Sequence, residues 1–322
     1  MKEENYDALF NPQTEVPDSG TTNNEEYSPS AQKGKNNVYQ SIIRFVPWWK
    51  NPKQSVIDKW TCWLTDPVTE RGRFVDCPSS IGKPSVLQDM FWKLKKSESV
   101  ALQKKAQIFS RRHSFTALIQ VIKDENNPEL EGKILAWRFG VKIWEKINAE
   151  LKPVIGERHD PFDILNGKVF ALVITKVKGF NNYDQAKFHD KKVPLCIPND
   201  EGKLVPISPD TDKRKVFEWV KENSPDLDKY SFKEWDQETY DYVNHVIGAV
   251  TGEASVSKNY SSLQNKETEE GDKDSGGIES SDISSEDLNL DSDDTNMPDI
   301  DMPDLPKSEG ISGNLDDALK DL

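Results

Sequence analysis

The chain has few of the residues from which enzymes and metal sites are usually built. Its three cysteines, Cys62, Cys77 and Cys196, lie far apart, and its four histidines, His113, His159, His189 and His245, are equally scattered. Widely separated thiols exclude a disulfide framework and a Cys-x-x-Cys metal clip, and they fit a reducing compartment. The glycine-lysine loop that cradles nucleotide phosphates is missing, as are His-Glu-x-x-His and Gly-x-Ser-x-Gly. Carboxylates are plentiful, but no set of them stands out in the part that can fold. The expectation is therefore a protein that is not an enzyme, with a metal-dependent nuclease as the catalytic alternative. No apolar run approaches the roughly 18 residues of a membrane span, and the acidic N-terminus is not a signal peptide, so a soluble intracellular protein without membrane contact is expected.

What the chain does have is charge, unevenly spread. Only 35% of its 322 residues are hydrophobic and its net charge is −14. Glu267 to Leu322 holds 19 acids against 3 lysines, a composition that cannot bury a core. The first 37 residues hold 7 acids and 3 lysines, which leaves 30 acids and 36 bases for residues 38–266. A mildly basic body thus carries an acidic tail. The organisation expected is a flexible N-terminal arm over 1–36, a folded core over 37–252 and a disordered acidic segment over 253–322.

Within the core, "VYQSIIRFVP" reads as a strand ended by Pro47, and "SVIDKWTCWL" and "GRFVDCP" as further strands or turns. "VLQDMFWKL" repeats apolar residues at helical spacing, as does "VKIWEKINAEL", with Ile143, Ile147 and Leu151 inward. "SFTALIQVIKD" and "KILAWRFG" flank a turn rich in Asn, Pro and Gly, which predicts an antiparallel hairpin. A strand over 167–178 and helices near "DKRKVFEWVKEN" and "WDQETYDYVNHVIGAV" complete the set. Short strands with a few helices indicate an α+β, mainly β, or small-barrel domain rather than a parallel α/β sheet.

Single-stranded nucleic acid is held by cations along its backbone and aromatic faces against its bases. Four clusters offer that pairing near strand ends: Arg44 in "IIRF", Arg111, Arg112 and Phe115 in "RRHSF", Trp137 and Arg138 in "AWRF", and Lys176, Phe180, Tyr183 and Lys187 in "KVKGFNNYDQAK". On residue pattern alone two readings stand, rings in the core or rings left out for a flat, charged ligand.

The blocks "NNVYQSIIRFVP", "VIKDENNPELEGKILAWRFGVKIWEKINAEL" and "KVKGFNNYDQAKF", with the terminal "LDDALKDL", resemble the single-stranded DNA-binding proteins of T4-type bacteriophages. The resemblance implies an OB-fold barrel core with added helices, and a cleft in which Arg44, Arg111, Arg112, Phe115, Trp137, Arg138, Phe180 and Tyr183 meet single-stranded DNA, joined by Lys176 and Lys187. It implies a sequence-nonspecific protein that coats and protects single strands and destabilises duplex during phage replication, recombination and repair, in the cytoplasm of the infected host. A recombination-mediator module of the same fold is the alternative. The acidic tail would recruit replication and recombination proteins (polymerase, helicase loader, recombinase) through Leu315, Asp316, Asp317, Leu319, Asp321 and Leu322. Self-association along DNA would involve the arm, where Tyr6, Leu9 and Phe10 stand in place of the family's short basic motif. The family's structural zinc is expected to be lost, because Cys77 is the only cysteine that matches its ligand pattern, and no cofactor is expected.

Overall fold

A computed structural model of the protein describes residues 25–199 and 201–252. The arm residues Tyr6, Leu9 and Phe10, and the tail with its six named contact residues, lie outside the described residues.

Apolar runs buried on both faces at the centre make one large sheet. Its strands are β1 (Glu26–Tyr27), β2 (Tyr39–Val46), β3 (Val56–Thr65), β4 (Gly72–Asp76), β5 (Arg111–Asp124), β6 (Ile134–Phe139), β7 (Lys168–Val177), β8 (Phe180–Asn182) and β9 (Lys187–Lys192). A separate pair, β10 (Cys196–Pro198) and β11 (Leu204–Pro206), is antiparallel. The main path runs β1-β6-β5-β2-β7-β8, with β4 carried on β3 and β9 on β7. The fold class is mixed α+β, and the ladder among the described residues stays open instead of closing into a barrel.

The long strand β5 organises the rest. Along one edge its first half pairs with β3 and its second half with β2, while Phe115–Gln120 pairs with β6 along the other edge. Successive side chains of β5 therefore feed two cores. Phe115, Ala117, Ile119 and Val121 enter one cluster with Phe45, Trp137, Phe139, Phe170, Ile143 and Ile147. Leu118 enters the other with Val46, Trp48, Ile57, Val216, Val220 and Tyr230.

Among the described residues five α-helices accompany the sheet: α1 (Val86–Lys95), α2 (Val100–Lys105), α3 (Val141–Leu151), α4 (Lys213–Asn223) and α5 (Gln237–Thr251). The predicted α3 face is the buried one at Ile143 and Ile147, each contributing about 1.5–3 kcal/mol by leaving water. Asp212 caps α4 through the Arg214 N–H and Asp236 caps α5 through the Thr239 N–H, so both helices start where a side-chain oxygen meets an orphan donor. Gly252 closes α5 in the left-handed conformation, its N–H bonded to the Gly248 carbonyl.

Residues 25–36 do not behave as the free arm the composition suggests. Glu26–Tyr27 pairs in parallel with Ala136–Trp137, and Ala31 is buried. The buried Tyr27 hydroxyl donates to Asp124 Oδ2 and lies 2.7 Å from Ser41 Oγ, and Tyr39 donates to the same carboxylate oxygen. Burial first, then the neighbouring negative charge, pushes the Tyr27 phenol well above its usual range. Two ring hydroxyls on one interior carboxylate fasten a polar-looking segment that hydrophobic periodicity could not flag.

Candidate nucleic-acid interface

Period-two geometry sorts the predicted residues, and it removes three of them from any surface. Trp137 is 2% exposed, ringed by Tyr27, Phe45, Phe139 and Phe170. Phe115 is also 2% exposed, between Phe139 and Trp144. Neither ring offers a face to a base. Arg44 is wholly buried and holds the loop before β7: its Nη1 donates to the Ile164 and Val193 carbonyls at 3.1 and 2.9 Å, and its Nη2 to the Asp163 carbonyl at 2.6 Å. Burial pulls its pKa down to about 10, so it stays a cation and serves as a structural clamp rather than a phosphate contact.

The doublet Arg111–Arg112 is divided between the two faces of the sheet. Arg111 shares the Phe115 face with His113, whereas Arg112 is exposed on the other, where Arg138 also points because it pairs with Thr116. On the Phe115 face a column of flat groups runs from α3 to the start of β5. Trp144 stacks on Phe115 at 4.9 Å and 15°, Phe115 meets His113 at 4.3 Å, and His113 stacks on Trp60 at 3.9 Å and 7°. The Arg111 guanidinium ends the column 4.0 Å over the Trp60 ring, and is aimed by Ser79 Oγ and Gln88 Oε1 at 3.0 and 2.7 Å. Asp58 takes a hydrogen bond from the His113 ring edge. Trp60, His113 and Trp144 were not among the predicted contacts. The β3–β5 register that places Trp60 directly opposite His113 is the signal that would have found them.

Beside α3 lies the segment that follows β7. Lys178 (φ 50°) and Gly179 (φ 87°) are both left-handed, the signature of a two-residue hairpin turn, with Val177 paired to Phe180. The turn holds Phe180 in solvent, 76% exposed. Tyr183 is half-buried against the first core, and burial raises its phenol pKa. Asp184 draws the Lys142 ammonium to 3.8 Å and its carbonyl accepts from Lys146 Nζ at 3.5 Å, tying this segment to α3. Lys176 donates to the Gly179 carbonyl, bracing the turn, and Lys187 is exposed on β9. Phe180 and Lys187 are thus exposed, Tyr183 and Lys176 are half-buried, and Arg111 ends the ring column. Arg44, Phe115 and Trp137 are interior, and Arg112 and Arg138 face the other way.

The residues at the family's zinc position do not fit a zinc ion. Cys62 and Cys77 are both buried, diagonal to one another across β3 and β4. The Cys77 sulfur neighbours Cys62 and lies 3.1 Å from the hydroxyls of Ser79 and Ser85, while the Cys62 thiol donates to the Phe109 carbonyl at 3.7 Å. Those partners hold Cys77 below the usual thiol range and Cys62 above it. Two thiols and two hydroxyls lack the four nitrogen, sulfur or carboxylate donors of a tetrahedral structural site. Among the described residues no group of three or more His, Cys, Asp or Glu side chains could hold a metal. In the same residues no helix is long and apolar enough to cross a membrane.

The chain is 35% identical to the single-stranded DNA-binding protein of Enterobacteria phage T4 over 124 residues, 38% of each chain, and 35% identical to that of Enterobacteria phage T2 over 120 residues, 36% of each. The aligned stretch is thus well under two thirds of either relative. The family described as gp32 DNA binding protein like matches residues 37–251, the whole body from β2 to the end of α5. With that match spanning most of its length, the chain belongs to the family of gp32-like DNA binding proteins.

Proposed function

We propose that this protein binds single-stranded DNA without sequence preference, along the ring column and the Phe180 hairpin. The observation that carries the reading is the continuous stack Trp144–Phe115–His113–Trp60, ended by Arg111, together with exposed Phe180, half-buried Tyr183 and the lysines Lys176 and Lys187 on the segment that Asp184 ties to α3. The inner rings face each other, so bases rest on Phe180 and Tyr183 outside the stack. Each such stack contributes about 1–3 kcal/mol, and each phosphate neutralised releases counterions.

The strand set β2, β3, β5, β6 and β7 we read as an opened OB barrel, with β5 as the strand shared between its two halves. Because the contacts require unpaired bases, binding draws duplex toward single strands by mass action, which suits a stoichiometric role in phage DNA replication, recombination and repair inside the host cell. The acidic tail is assigned to replication and recombination partners on its composition alone. The donor set at Cys62 and Cys77 supports a body held together without resident zinc.

The test is a salt titration of binding to oligo-dT of several lengths, with Mg²⁺ and Mn²⁺ added in a parallel series. Affinity that falls with salt, tracks length and leaves the oligonucleotide intact supports the reading. Absence of binding at low salt, or shortening of the oligonucleotide, refutes it.

A further inference from the structure

The primary interface leaves Arg112 and Arg138 unused, along with the most exposed aromatic pair on the sheet. Trp63 and Phe74 lie directly opposite on β3 and β4, 44% and 59% exposed, with ring centroids 4.6 Å apart in a T-shaped contact. Gly72 makes this arrangement possible: a Cβ there would come within 2.6–2.7 Å of the Trp63 indole, so the indole lies across the glycine and is held in one orientation. A cross-strand pair of branched aliphatic residues would fasten the hairpin as well. The two rings instead keep broad apolar faces in water.

One cation beside them is unpaired among the described residues. Arg112 pairs with Thr61, two residues from Trp63 on the same face, so its guanidinium stands diagonal to the indole, within reach of a long side chain. It is exposed and has no ion pair or hydrogen bond among the described residues. Arg138 is exposed farther along the same face. The nearby carboxylates are occupied: Asp76 by Lys59 at 3.2 Å and by the Lys233 N–H, Asp66 by Thr69, the Val68 N–H and His245. Arg111 and Arg112, adjacent at the start of β5, place one guanidinium on each face, which lets a polyanion cross from one to the other at that end.

Building on the single-stranded DNA reading, we infer that Trp63, Phe74 and Arg112 form a second contact for single-stranded nucleic acid on the opposite face of the sheet, reached by a strand that leaves the primary interface at Arg111. Its ligand class is unpaired bases on a phosphodiester backbone. The contact extends the footprint rather than creating an independent site, because two rings and one dedicated cation supply too little to hold DNA alone.

The experiment uses the full chain and oligo-dT of about 8 and about 30 nucleotides, sizes below and above the span of one binding module. The doubly substituted Trp63→Ala, Phe74→Ala protein should bind the short oligonucleotide like the parent and the long one about thirty-fold more weakly, at the low end of two lost stacks. Arg112→Gln, an exposed change that leaves the fold intact, should lower the salt dependence for the long oligonucleotide alone. Unchanged affinity and salt dependence for the long oligonucleotide would overturn the second contact while the short one still reports the primary site. Changed self-association in sedimentation, with DNA affinity unaltered, would assign the face to a second copy of this chain and also overturn it. If the parent protein bound neither oligonucleotide, the primary reading would fail with it.

Discussion

Phe180 is where the binding reading is most exposed to refutation. Its ring is 76% exposed and touches no core residue, so Phe180→Ala should change folding stability by no more than about 0.5 kcal/mol. The turn behind it depends on Lys178, Gly179 and the Lys176 hydrogen bond, none of which involves the ring. If one base rests on Phe180, its loss removes about 1–3 kcal/mol, a roughly 5- to 150-fold rise in Kd at fixed salt. Phenylalanine carries no charge, so the slope of log K against log salt should stay that of the parent. Fluorescence anisotropy on labelled oligo-dT measures both quantities, and a thermal melt verifies the fold. Phe180→Trp should restore affinity because any π face serves. Parental affinity in the alanine variant, with the melt unchanged, would mean that no base sits there. A drop in both affinity and Tm would place the ring in the fold instead.

Other expectations separate charge, fold and metal. Lys187→Ala should lower the salt slope by about 0.7 without altering Tm, as for one phosphate of a single strand; an unchanged slope removes Lys187 from the interface. Arg44→Met should cost about 3–5 kcal/mol in urea unfolding, because three carbonyls lose their buried donor. A stable Arg44→Met protein with weakened DNA binding would return Arg44 to the cleft. Tyr27→Phe should destabilise by about 1–3 kcal/mol through the lost bond to Asp124, whereas removal of residues 1–24 should leave Tm in place. Elemental analysis should find well under one zinc per chain, with Tm insensitive to EDTA; a full equivalent would show that Cys62, Cys77 and the serine hydroxyls recruit an outside ligand.

The helices and the β5–β6 hairpin were legible because their signals are local. The apolar repeat of α3 and the Asn-Pro-Gly-rich turn before β6 each act over a few residues. What was not legible depends on partners far away in sequence. Arg44 looks like a surface cation in "IIRF", and only the carbonyls of Asp163, Ile164 and Val193, over 110 residues later, turn it into a clamp. Trp137 and Arg138 read as one binding pair, yet neighbouring residues on a strand point to opposite sides, and the arriving core decides which side is sealed. Tyr27 appeared to belong to a polar arm because its anchor, Asp124, lies 97 positions away. Trp60 enters the stack only through its register with His113, 53 positions away, so nothing local marks it. The resemblance supplied the barrel, and the ladder departs from it by staying open.

The two left-handed residues at Lys178 and Gly179 carry a consequence for how fast and how uniformly the surface engages its ligand. A turn with no slack fixes the direction of Phe180 before any encounter, so the conformational entropy of that segment is lost when the chain folds and not again at each docking event. Lys178 adopts a backbone geometry that glycine, asparagine or aspartate would accept more readily, which marks the position as one where rigidity and a positive charge are held at the same residue.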